Sequence, residues 1–132
     1  MILVDTHVLV WLDQDNPRLG PRCRRAIDQG LTDDALAVSA ISFWEVAMLV
    51  ARQRLAIDLP LHRWRRDLIG GGIRELPIDG RAGLVAADLE LHRDPADRLI
   101  AATATLNEAT LATADQRLLT WPTTVEKLDA SR

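Results

Sequence analysis

Short apolar runs alternate along the chain with longer segments whose apolar positions recur at helical spacing. Ile2-Leu3-Val4, Leu36-Ala37-Val38, Ile73 to Ile78, Leu111-Ala112-Thr113 and a stretch around Val125 read as strands. Between them, His7 to Leu12, Pro21 to Gln29, Ser42 to Arg54, Leu61 to Ile69, Gly80 to His92, Ala96 to Glu108 and Gln116 to Leu119 read as helices. Asn16-Pro17 marks a turn, Pro21 suits a first helical turn, Gly30 reads as a stop, and Gly70-Gly71-Gly72 ends the fourth helix. Gly83 weakens the fifth. Strands that are apolar throughout belong to a parallel sheet covered on both faces. The pattern therefore predicts an α/β fold with a central, mainly parallel sheet. Ligands of such sheets bind beyond the carboxyl ends of the strands.

Composition narrows the class. The 132 residues are 48% hydrophobic, with 7 Gly and 6 Pro, which suits a single globular domain over residues 1–132 and disfavours disorder. Cys23 stands alone, so neither an intrachain disulfide nor a cysteine-based zinc cluster can form. No apolar stretch approaches the roughly 20 residues of a membrane span; the longest, Ala40 to Ala51, is broken by Glu45. Met-Ile-Leu-Val-Asp has no basic segment and does not read as a signal peptide, so a cytoplasmic location is expected. A net charge of −3 argues against a histone-like polycation. The cations are 15 Arg and one Lys, Lys127. Guanidinium forks suit phosphate, although codon bias explains the skew equally well.

The acids gather where the sheet rule points. Asp5 directly follows the first strand, and Asp115 follows Leu111-Ala112-Thr113-Ala114. Glu45 lies one turn into the helix after the second strand, and Asp94 and Asp97 open the helix through Leu99 and Ile100. Each also has a plain structural reading. Asp5 and Asp115 suit helix N-caps, Ser42-Phe43-Trp44-Glu45 fits a capping box, and Asp94-Pro95-Ala96-Asp97 fits an N-cap with Pro at N1. Caps need only one acceptor per helix, yet four helices would place acids on one rim. Carboxylates so close raise one another's pKa and stay ionised only beside a cation. Glu45, surrounded by apolar neighbours, adds to the case. Oxygen ligands without convergent His or Cys favour Mg²⁺ or Mn²⁺ over zinc.

Four stretches resemble the PIN-domain family, and within it the VapC-type ribonuclease toxins of type II toxin–antitoxin systems. They are Leu3-Val4-Asp5-Thr6-His7, Ser39 to Glu45, His92 to Ala104 with Asp97-Arg98-Leu99-Ile100-Ala101 at its centre, and Leu111 to Asp115. The resemblance implies a three-layer α/β/α sandwich that cleaves RNA with Mg²⁺ or Mn²⁺. It assigns Asp5, Asp97 and Asp115 to metal binding, and Glu45 to ligating metal or orienting the attacking water. Asp94 is a ligand, a supporting group or only a cap. Thr6 and Thr113 would support the acids, with packing or capping as the alternative. A cognate VapB-type antitoxin and a homodimer are implied as well.

Other signals carry less. His7, His62 and His92 form no metal-spaced pair and are expected at the surface or in packing. Cys23, between Arg22 and Arg24, has a setting that lowers a thiol pKa, although a structural role is preferred. Arg22, Arg24 and Arg25, with Arg63, Arg65 and Arg66, read as solvated helix faces or as RNA-attracting clusters. Arg98 is expected either in a salt bridge or against a scissile phosphate. Trp11, Trp44, Trp64 and Trp121 are expected as core or interface bulk rather than as base-stacking surfaces. The principal competing function is a catalytically weak PIN-like module that binds RNA or a partner. Phosphotransfer folds with Asp at strand ends fit poorly, since the residue two after Asp5 is His7.

Overall fold

The computed structural model describes residues 1–132, and its five strands form one sheet in the order β3-β2-β1-β4-β5 with every neighbouring pair parallel. The strands are β1 (Ile2–Val4), β2 (Leu36–Ser39), β3 (Arg74–Leu76), β4 (Thr110–Thr113) and β5 (Lys127–Asp129). Seven helices connect them: α1 (Thr6–Asp13), α2 (Pro21–Thr32), α3 (Ile41–Ala51), α4 (Leu61–Gly70), α5 (Gly80–Asp88), α6 (Pro95–Leu106) and α7 (Gln116–Leu119). The three central strands are apolar because both faces are covered. Leu3, Ala37 and Leu111 share one face with Ile100, Ala104 and Leu118. Val4, Leu36, Val38 and Ala112 face the other way, against Val8, Leu9, Ile27 and Val46.

Strands are added first on one side of β1 and then on the other, so the order reverses between β1 and β4. This is the switch point at which a parallel sheet opens a crevice. Register fixes what lies there. Val4 pairs with Ala112, and the Asp5 N–H donates to the Ala112 carbonyl at 3.1 Å. The residues that follow both strands therefore sit side by side.

Four helix ends differ from the glycine rule. α2 runs past Gly30 to Thr32, and the predicted stop is supplied by Asp34 at φ 52°. Asp34 N–H returns to the Leu31 carbonyl and Ala35 N–H to that of Gly30, the paired bonds of a Schellman ending. Asp15, Gln53 and Glu108 close α1, α3 and α6 in the same way, with φ of 50°, 57° and 50°. α3 ends at Ala51, short of Arg54. The strand expected over Ile73 to Ile78 is only Arg74–Leu76, at the sheet edge. The last strand lies at Lys127–Asp129 rather than around Val125, because pairing with Leu111 to Thr113 sets its position.

α5 ends at Asp88, four residues before the predicted limit. Arg98 is the cause. Its guanidinium donates to the carbonyls of Ala86 (2.7 Å), Leu91 (2.7 Å) and His92 (3.1 Å), drawing the chain into a loop.

Candidate metal centre

The carboxyl ends of β1 and β4 open into a cleft of about 330 Å³ lined by Asp5, Glu45, Asp94, Asp97 and Asp115, with Arg117 as its one arginine. Thr6, His7, Trp11 and Ala114 complete the wall. The structure thus brings together every acid that the sequence singled out, from four different connections.

Asp5 leaves β1 and caps α1, its Oδ1 accepting from Val8 N–H at 2.9 Å. Thr113, the last residue of β4, donates its hydroxyl to Asp5 Oδ2 at 2.5 Å. Capping and site geometry are thus one arrangement, since the cap fixes the carboxylate over the crevice. Asp5 is only 6% exposed. Burial pushes its carboxyl up to about 6, against the opposing bonds from Thr113 and Val8.

Glu45 enters from α3. The capping box expected at Ser42 does not form: the helix starts at Ile41, its N-cap is Ala40, and no side chain caps it. Ser42 is buried and accepts the Thr6 hydroxyl at 2.9 Å, which ties α1 to α3 beneath the acids. Glu45 is left free to reach the cleft. Half-burial raises its pKa, and the Asp97 charge adds to the rise.

Asp94 caps α6 and accepts the Asp97 N–H at 3.0 Å, with Pro95 at N1 as the sequence indicated. It lines the cleft but is exposed. Asp97 lies deeper. Burial and the charges of Asp94 and Asp115 raise its pKa, while its bond to His92 opposes the rise. Asp115 caps α7 and is gripped by Arg117 through Nε at 3.3 Å and a second nitrogen at 3.0 Å, which holds its pKa down. Arg117 also approaches Asp97 at 3.6 Å.

Several expectations change here. Arg98 forms no salt bridge and does not face the cleft; it holds loop carbonyls, including that of Ala87. Cys23 is fully buried, and burial pushes its thiol up to about 11 rather than down. Arg24 and Arg65 are paired with Asp15 and Glu75. Trp64 and Trp121 are buried, as bulk in the core should be, whereas Trp44 is 54% exposed and Trp11 stands at the cleft wall.

Of the three histidines, His62 is exposed as expected, and the other two lie at the site. His7 lines the cleft mouth. His92 Nε2 lies 2.6 Å from Asp97 Oδ2, and its buried Nδ1 has no partner. His92, Asp97 and Asp115 offer ligand atoms within 4.8 Å of one another. An imidazole therefore stands beside the carboxylates. Arg117 was missed too. Its signal is position: two residues after an acid that caps a short helix, its side chain folds back on that acid.

The excess of carboxylates over cations fits a hard divalent cation; burial is the main cause of the raised proton affinity of Asp5, Glu45 and Asp97, and neighbouring carboxylate charge adds to it. No helix is long and apolar enough to cross a membrane.

Known proteins are similar to this chain over most of its length. Residues 2–120 match the family described as PIN domain. The chain is 35% identical to Ribonuclease VapC22 of Mycobacterium tuberculosis over 119 residues, 89% of this chain and 88% of that protein. Among solved structures, it is similar to FitAcB from Neisseria gonorrhoeae, with TM-score 0.67 and 25% identity over 98% of both chains. It shares its fold with VapBC2 from Rickettsia felis, solved on a promoter DNA fragment, with TM-score 0.73 and 15% identity over 98% of both chains. A toxin–antitoxin complex from Klebsiella pneumoniae has TM-score 0.62 and 22% identity, covering 92% of this chain and 93% of that one.

Proposed function

The chain belongs to the PIN domain family, and from that premise we propose that it is a Mg²⁺- or Mn²⁺-dependent endoribonuclease toxin restrained by a VapB-type antitoxin. The observation that carries this reading is the convergence of Asp5, Glu45, Asp97 and Asp115 on one cleft at the sheet's switch point. Its 35% identical relative is a ribonuclease.

Asp5, Asp97 and Asp115 would hold the ion, with Asp94 at the rim. When bound, Mg²⁺ or Mn²⁺ eases the ionisation of water and offsets charge developing on the phosphoryl oxygens. Glu45 orients the attacking water and takes its proton at a carboxylate oxygen, a task suited to its raised proton affinity. Thr113 keeps the Asp5 carboxylate aimed across the crevice, and Thr6 supports α3 through Ser42. His92 orients Asp97. Arg117 partly neutralises the acids from the rim.

The partner assignment is in keeping with similarly folded chains solved in VapBC and toxin–antitoxin assemblies. Exposed Trp44 and Leu84 are surfaces that an antitoxin or a second copy in a homodimer would cover.

The test is cleavage of RNA by purified protein with Mg²⁺ or Mn²⁺, its loss on chelation, and its loss in Asp97→Asn. Cleavage at an undiminished rate by that variant would overturn the site assignment. Calorimetric titration separates an enzyme from a binding module, because a module without the metal centre takes up neither ion.

A further inference from the structure

The acidic cleft continues along α1. A second hollow of about 390 Å³ adjoins it, and Thr6, His7 and Trp11 line both. The charge reverses across that shared wall. Five carboxylates line the first hollow, while none lines the second, whose arginines are Arg18 and Arg54. Both arginines are exposed and neither is paired with an acid.

Their bases are nevertheless fixed. The Arg18 N–H donates to Asn16 Oδ1 at 2.9 Å, in the turn after α1. The Arg54 N–H donates to the Leu49 carbonyl at 2.9 Å, in the turn that Gln53 closes after α3. Gln14 joins the two turns, its Nε2 donating to the Ala56 carbonyl at 3.0 Å. Trp11 is half-buried and packs against the core, so its ring stands at the junction with little freedom left to lose.

We propose that this second hollow is a subsite for the substrate strand beside the cut bond, with Arg18 and Arg54 taking a neighbouring phosphate and Trp11 stacking a base between the two. The proposal rests on the endoribonuclease reading and adds to it the path of the strand. A polyanion that crosses five carboxylates is repelled there except at the phosphate a cation neutralises. Guanidinium groups one step along the strand supply the compensating attraction, and an aromatic face holds a base of any identity. The combination selects a single strand, since bases in a duplex cannot reach an aromatic ring at the wall.

The experiment is fluorescence anisotropy with a short, labelled, mixed-sequence single-stranded RNA, in chelator so that nothing is cut. Arg18→Ala/Arg54→Ala is expected to weaken binding at least tenfold at low salt. The slope of log affinity against log salt should fall by about 0.7 for the one phosphate that the pair neutralises. Trp11→Leu should weaken binding with the salt slope unchanged. Thermal midpoints and Mn²⁺ titrations of the variants, matched to the parent, report that fold and metal centre are intact. Parental affinity and slope in the double variant would overturn the subsite and leave the nuclease reading standing. Retained RNA binding with lost binding of a polyglutamate peptide would also overturn it, assigning the hollow to an acidic protein segment. Failure of the parent protein to bind or cut RNA would remove the nuclease reading and the subsite with it.

Discussion

His92 Nε2 lies 2.6 Å from Asp97 Oδ2, while the carbonyl of the same histidine accepts from Arg98 at 3.1 Å. Two consecutive residues at the start of α6 thus hold one loop residue, and that loop residue in turn orients an acid of the cleft. Removing the ring should free the Asp97 carboxylate. His92→Ala is expected to lower Mn²⁺ affinity about 10- to 100-fold, the usual effect of losing a group that orients a ligand. Titration calorimetry measures it, with circular dichroism confirming the fold; unchanged affinity would exclude this role.

Arg98→Ala deletes the donor for the Ala86, Leu91 and His92 carbonyls together. Charged hydrogen bonds to partly buried carbonyls are each worth more than neutral ones. The expected loss is about 2–4 kcal/mol in urea denaturation. Arg98→Lys should recover only part of it, since one ammonium cannot span three carbonyls set around a guanidinium.

The buried Asp5 carboxyl titrates at about 6 in the folded chain against an ordinary 3.8. Between these values the folded state binds the extra proton, so the metal-free protein loses stability as pH rises from about 4 to about 6. The shift corresponds to roughly 3 kcal/mol between the protonation states. Asp5→Asn should flatten that part of the profile and be more stable than the parent at pH 7 in chelator. Melting curves across this range test the slope. Metal affinity should move the opposite way, rising with pH through about 6, because an ion needs the carboxylate.

Arg117 contacts both Asp115 and Asp97 from an exposed position. It competes with any cation for those oxygens. Arg117→Ala should therefore tighten Mn²⁺ binding several-fold and change metal-free stability by no more than about 1 kcal/mol, as for other exposed ion pairs. Weaker binding in this variant would show instead that the guanidinium positions Asp115.

Glu108 ends α6 at φ 50°, where a side chain is strained and glycine is not. Glu108→Gly should stabilise the chain by about 0.5–1 kcal/mol in chemical denaturation. A loss would mean that the greater freedom of glycine in the unfolded chain outweighs the relieved strain.

The α/β architecture was legible because each central strand is a short apolar run and each long helix repeats its apolar positions. Asp5 and Asp115 were legible because they follow strands, and Asp97 because it follows an Asp-Pro helix start. Helix ends were read less well. The rule that glycine stops a helix failed at Gly30, because aspartate, glutamine and glutamate adopt the left-handed ending here and carry no comparable mark in sequence. Ser42 looked like a cap through spacing alone, yet its hydroxyl is claimed by Thr6, a residue 36 positions away.

The sequence by itself determined the strand–helix alternation and which acids could meet, since periodicity and strand-end position are local properties. Tertiary structure decided which other side chains joined them. His92 reaches Asp97 because Arg98 bends the chain between α5 and α6, and Arg117 reaches two acids because α7 is short and folds against β5. It also decided that Arg98 faces a loop, whereas Arg18 and Arg54 face a hollow beside the cleft. A side chain's partner is set by what other segments bring within a few ångströms, and spacing along the chain carries none of that distance.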